Sequence, residues 1–268
     1  EEKLKFKRLR QRDFPYKRAI KGLSANSYDL IFDEELWTFL LKISTIYTST
    51  GDNVHHGDRQ RRNEVAFAAW TTLLRVYGRS RVRGGWDQMQ RMAVAAVVLQ
   101  SKLLEESDVD LVKLGKKMMK FTKVSCEKSV IEGCERKICS LIGWKLLVPS
   151  PQVILFSVLD VLNLPFSLKL LVSQVLDEMI EGYFLQAHLK DESCGGYLAG
   201  LVVAVAEIVL DDFFSVFHGL RGGSDLKKLL RENLLIRRVE LSPERREKVE
   251  KALETVMKRG QLNLTGNV

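Results

Sequence analysis

Histidine and cysteine are the side chains here best suited to metal or nucleophilic chemistry, and their spacing argues against both. His55 and His56 adjoin in a polar stretch with Gly51 and Gly57, with no acid or cysteine pattern beside them, while His188 and His218 stand apart. Of the four cysteines, Cys126, Cys134, Cys139 and Cys194, only Cys134 and Cys139 share a short spacing, and a lone C-x4-C inside a helical pattern lacks the partners a zinc site needs. Reduced, structural thiols are expected. The pairs Gly84-Gly85 and Gly222-Gly223 lack the strand context and spacing of a phosphate-binding loop. No catalytic constellation, metal site or cofactor site is expected, and the chain reads as non-catalytic.

The most informative part of the sequence lies between positions 92 and 151. An all-apolar run, Met92-Ala-Val-Ala-Ala-Val-Val-Leu99, ends in Gln-Ser-Lys102-Leu-Leu-Glu105-Glu106, and Glu135-Arg-Lys-Ile-Cys-Ser-Leu-Ile-Gly-Trp144-Lys-Leu-Leu-Val-Pro149-Ser-Pro151 follows. Lys102 and Glu135 are of opposite charge, while Leu103, Trp144 and Leu146 supply apolar bulk.

The elements that must position these residues follow from composition and period. At 268 residues the chain is long enough for one large domain or two smaller ones, and its apolar share of 46% is ordinary. The five prolines, Pro15, Pro149, Pro151, Pro165 and Pro243, leave long uninterrupted stretches that favour helices. No apolar stretch reaches the roughly 18 residues that cross a bilayer. The first residues are too basic and broken for a signal peptide, so a soluble, intracellular protein, nuclear or cytoplasmic, is expected. The net charge of +8 is uneven: residues 1–25 hold nine Lys or Arg against three acids, a net +6, and the rest is nearly balanced. A solvated basic N-terminal extension accounts for this, and contact with nucleic acid or an acidic partner is the other use of such an arm.

Helical period predicts about ten segments in two sets of five. The first set comprises Asp33 to Ile43, with acids in its opening turn; Asn63 to Tyr77; Trp86 to Glu105; about Asp108 to Lys123; and Cys126 to Trp144, stopped by Gly143 and the Pro149/Pro151 pair. The Met92–Leu99 run has no polar face, so its helix should be surrounded by others. The second set comprises Gln152 to Leu162, Ser167 to His188, a second nearly all-apolar helix from Tyr197 through Ala206 ending in Asp211-Asp212, Ser224 to Leu235, and Ser242 to Arg259. Ser242-Pro243 reads as a helix start, with Pro at the first helical position. The halves share a pattern, not a sequence. An all-α chain is expected, with a basic extension over 1–30, one repeat over 31–148, a second over 149–260 and a tail over 261–268.

The combination in 92–151 resembles the cyclin box. In that family a central buried helix ends in Ser-Lys followed by acids, and a later helix opens on Glu and closes on an aromatic, a Leu and a Pro-Thr/Ser-Pro link. The lead into the third helix, with its basic loop, looks more like transcription-associated cyclins than cell-cycle cyclins. The resemblance implies two tandem five-helix cyclin-fold repeats and a regulatory subunit that binds and activates a cyclin-dependent protein kinase, monomeric without that partner. It also implies that Lys102 and Glu135 interact with each other and with the kinase's regulatory helix, and that Leu103, Trp144 and Leu146 pack against it. Such a contact would hold the helix inward, where its Glu pairs with the kinase's strand lysine.

Two departures bear on roles. Leu103-Leu104 puts one more residue before the acids than the family has, turning Glu105 and Glu106 by about 100°, so no kinase contact is assigned to them. The Leu36–Ile43 helix lacks the family's Met-Arg-x-Ile-Leu substrate-docking pattern. The same doubled fold occurs in transcription initiation factor IIB, whose alternative would have the chain bind promoter DNA, TATA-binding protein or RNA polymerase. Arg79, Arg81 and Arg83 are then the nucleic-acid contacts, because phosphates need Lys or Arg at helix ends and loops.

Overall fold

The structure, a computed structural model, describes residues 16–48, 56–79, 85–105, 127–147, 149–161, 164–190, 198–216 and 239–265. Among them it has eleven helices and no strand: α1 (Tyr16–Lys21), α2 (Ala25–Ile31), α3 (Glu34–Thr48), α4 (His56–Arg79), α5 (Trp86–Glu105), α6 (Lys128–Ile142), α7 (Pro151–Val161), α8 (Phe166–Glu181), α9 (Phe184–Lys190), α10 (Leu198–Val216) and α11 (Pro243–Thr265). The chain divides at Ser150/Pro151 into two compact units. The expected helices near 108–123 and 224–235 lie outside the described residues.

In the first unit, α3 begins where Asp33 Oδ1 accepts the Glu35 N–H at 2.8 Å, with Glu34 and Glu35 in the opening turn that favours negative charge. Its Leu36, Trp37, Leu40 and Ile43 form the buried stripe of an amphipathic helix. The next two helices differ from that pattern. Every residue of α4 from Val65 to Tyr77 is buried, Thr71, Thr72 and Arg75 included, and so is every residue of α5 from Met92 to Val98. Enclosure of α5 follows from its apolar run. Enclosure of α4 was not legible in the same way, because its cover comes from elsewhere in the chain: α4 touches α1, α2, α3, α5 and α6.

Two of those neighbours fall within the expected N-terminal extension of 1–30. Tyr16 is buried and stacks on Trp70 with ring centroids 6.3 Å apart, and Trp70 Nε1 donates to the Ile31 carbonyl at 3.0 Å. The end of α1 crosses the end of α4 at Gly22 and Gly78, so close that a Cβ on Gly22 would sit 1.9 Å from the Gly78 carbonyl oxygen. Residues 16–31 therefore belong to the first unit's core. The signal was weak because α1 is short and basic, and Tyr16 is its one fully buried side chain among the described residues.

α4 also starts earlier than its apolar period indicates, at His56 and not near Asn63. The added turns hold only polar and charged residues, which carry no buried-face signal.

The second unit packs α10 against α7, α8, α9 and α11, and α8 against α7, α9, α10 and α11. α10 is buried along Leu201–Ala206 and Ile208–Leu210, apart from the partly exposed Glu207, in keeping with its apolar sequence. The expected single helix from Ser167 to His188 is instead α8 and α9, separated at Gly182 and Tyr183. Tyr183 has φ 58°, the left-handed region, and a helix cannot run through it. Apolar spacing continued across this break, so period alone did not reveal it. Val249, Ala252, Leu253 and Val256 supply the buried stripe of the otherwise polar α11.

Candidate partner-binding surface

α6 is amphipathic: Ile131, Glu135, Ile138, Cys139 and Ile142 are buried at helical spacing against α4 and α5. Glu135 is the one charged member of that stripe. Its carboxylate accepts from Lys102 Nζ at 2.8 Å, joining the last turns of α5 to the middle of α6. The expected pair therefore meets across 33 residues of sequence. Lys102 remains about one-third exposed, so the pair has a buried acid and a reachable cation. Beside it, burial and the Glu135 charge raise the Cys139 thiol above its ordinary value, which keeps it neutral.

The helix ends in a left-handed cap. Gly143 has φ 63°, and the Trp144 N–H donates to the Cys139 carbonyl at 2.9 Å, the long bond of a Schellman motif. Trp144 is left-handed as well, with φ 60°. For a residue with a Cβ this costs on the order of 1–3 kcal/mol and persists only where the surroundings over-determine it. Those surroundings are visible. The Leu146 N–H donates to the Trp144 carbonyl at 3.1 Å, Arg79 Nη1 donates to the Ile142 carbonyl at 3.4 Å, and the buried Gln100 amide donates to the Leu146 carbonyl at 3.3 Å.

The consequence is a tryptophan 72% exposed on a tied loop, with Leu147 81% exposed three residues on. The Gln100 bond sets this loop beside the end of α5, where Leu103 and Leu104 are also exposed. Leu146 is half-buried. Large apolar side chains exposed near one another on a fixed frame mark an interaction site more than a lone exposed leucine does. Of the residues expected from sequence, Lys102 and Leu103 lie in the last turn of α5, Glu135 in the middle of α6, and Trp144 and Leu146 in the loop that follows it. Leu104 was read only as an extra residue before the acids, and Leu147 and Gln100 were not singled out, since nothing in local sequence distinguishes Gln100 from an exposed glutamine.

Of the expected nucleic-acid contacts, Arg81 and Arg83 lie outside the described residues, and Arg79 turns one guanidinium nitrogen to the end of α6.

Burial pushes the Tyr77 hydroxyl up to about 12, with the Cys134 thiol adding to the effect, and burial lowers the Arg75 guanidinium. In the second unit, buried Gln152 donates to the buried Asp177 carboxylate at 3.1 Å, and buried His188 faces Arg245 at 2.9 Å through Nδ1. No group of three or more His, Cys, Asp or Glu is arranged to hold a metal among the described residues, and no helix there is long and apolar enough to cross a membrane.

Comparison of the chain with protein-family models, with curated proteins and with solved structures gives no match.

Proposed function

We propose that this protein is a non-catalytic regulatory subunit that binds and activates a cyclin-dependent protein kinase through the first unit, whose helices form a cyclin-fold repeat, the second unit forming another. The observation that carries the reading is Trp144, left-handed and 72% exposed just past the end of α6, the helix whose Glu135 pairs with Lys102. An exposed aromatic anchor that follows a helix carrying one half of a polar pair suits a partner helix: the aromatic loses little conformational entropy on binding, and the pair fixes register. A kinase helix held there would be held inward, supplying the order that an inactive kinase lacks. The resemblance of residues 92–151 to the cyclin box supports the choice of a kinase over other helical partners.

The test is capture from nuclease-treated lysate at about 150 mM salt, where a mainly apolar interface survives and phosphate contacts weaken. The purified chain should recover a cyclin-dependent kinase in near-equal amount, with phosphotransfer that depends on the bait, and Trp144→Ala should lose about 2 kcal/mol or more of affinity while remaining folded. Recovery of TATA-binding protein or polymerase subunits without a kinase would reassign the protein to the initiation-factor alternative. Undiminished capture by Trp144→Ala would remove the site.

A further inference from the structure

We infer that Gln100 is a positioning residue of this surface: from inside the core it fixes the 143–147 loop on which Trp144 and Leu147 stand exposed. The inference rests on the partner-binding reading above for its functional meaning, and on the free protein's geometry for its physical content.

Gln100 follows the buried Met92–Val98 run on α5 and is itself only 2% exposed. Burying an amide costs free energy unless both of its N–H groups find acceptors. Here Nε2 donates to Thr72 Oγ1 on α4 at 2.9 Å and to the Leu146 carbonyl at 3.3 Å. Thr72 does not need this bond for its own donor, because its hydroxyl already donates to the Ala68 carbonyl at 2.9 Å. The contact that would be missing without Gln100 is therefore the one to the loop. Thr72 serves as the anchor that aims the amide, and Leu146 is the group held.

The loop needs such a hold. Gly143 and Trp144 are consecutive left-handed residues, and the helix cap restrains only the first part of the turn. Arg79 ties the carbonyl of Ile142 before the turn and Gln100 ties that of Leu146 after it. Trp144 lies between two side-chain tethers from different helices, so its exposed ring is held by backbone restraint and not by burial. Loss of one tether lets the strained residue relax toward ordinary backbone angles and scatters the ring over several directions. A partner would then have to reorder it on binding.

The experiment uses the full chain labelled with 5-fluorotryptophan, whose four tryptophans give four fluorine resonances. Trp144→Phe identifies the resonance of interest. In Gln100→Met, which keeps length and apolar packing, the Trp144 line should shift toward the random-coil position, and hydrogen exchange at the Trp144 and Leu146 amides should quicken by about tenfold or more as local opening becomes easier. The lines of the buried Trp37 and Trp70 should stay where they are. Thr72→Val removes the anchor of the amide without touching the loop and should move the same signals in the same direction, which preserves the test should Gln100→Met fail to fold. Unchanged Trp144 signals in the folded variants, even with a lowered thermal midpoint, would overturn the inference by leaving Gln100 a purely structural residue. These signals need no partner, so they stand or fall separately from kinase capture by Trp144→Ala.

Discussion

The two units each contain a helix whose apolar run is enclosed by its neighbours, α5 in the first and α10 in the second, and the helices differ in the polar residues that follow that run. α5 runs from Val98 into Gln100, Ser101 and Lys102, and these polar side chains reach other elements: Gln100 the 143–147 loop and Lys102 the Glu135 carboxylate. α10 runs into Asp211 and Asp212, and Asp212 faces Arg246 of α11 at 3.9 Å, a contact that closes the unit on itself. Burial and Glu250 raise the Asp212 carboxyl, with Arg246 opposing them. Similar apolar helices thus serve different ends. Where the terminal polar residues hold a loop, the unit presents exposed apolar side chains on a fixed frame; where they pair with the next helix, they strengthen internal packing.

The comparison breaks most severely in the cores. Leu73→Ala in α4 and Leu201→Ala in α10 each remove a fully buried side chain, and each should cost about 2–5 kcal/mol in urea unfolding. A loss under about 1 kcal/mol at either site would mean that the surrounding helices collapse into the space, and that this unit's core is less tightly fixed than its counterpart.

An alkaline titration should separate the units next. Tyr77 is buried in the first unit and its hydroxyl stands at about 12, against about 10 in an unfolded chain. The unfolded state therefore releases this proton first. Stability from the group is intact below about pH 10 and is lost as pH rises toward 12, by up to about 3 kcal/mol. Comparing urea midpoints at about pH 9 and about pH 11.5 should show this loss in the wild type and much less of it in Tyr77→Phe. Equal alkaline loss in both proteins would assign the effect to other groups.

The smallest contrast concerns the ion pairs. Lys102→Met leaves the nearly buried Glu135 without its cation and should cost about 1–2 kcal/mol. Arg246→Met breaks contacts between more exposed groups and should cost about 0–1 kcal/mol. Thermal midpoints of the two variants measured in low and moderate salt would rank them, and an equal loss would erase the distinction drawn between the two helix ends.

Much of the fold was legible because burial leaves a periodic trace. Trp86–Glu105 is predicted and observed with the same bounds, since Gly85 precedes it and its apolar run leaves no polar face. α6 ends at Gly143 as its glycine indicates. The break at Gly182–Tyr183 was not legible, because apolar spacing continues through it and a left-handed tyrosine has no marker in sequence. The early start of α4 was hidden for the opposite reason: its first turns are polar and helical at once. Lys102 and Glu135 were singled out only through the resemblance to the cyclin box, and in the structure they pair at 2.8 Å. The exposure of Trp144 was not legible, since tryptophan more often packs at a helix end than stands in solvent.

By itself the sequence determined an all-helical chain and two enclosed apolar helices. These are properties of local order, written in the 3.6-residue period, glycine and proline stops and the types of side chain between them. Tertiary structure alone decided that Tyr16–Ile31 belongs to the core, that Arg79 and Gln100 hold a loop, and that Trp144 faces outward. Each of those outcomes depends on groups far apart in sequence meeting at hydrogen-bond or van der Waals distance, and no local pattern records which carbonyl a distant side chain will reach.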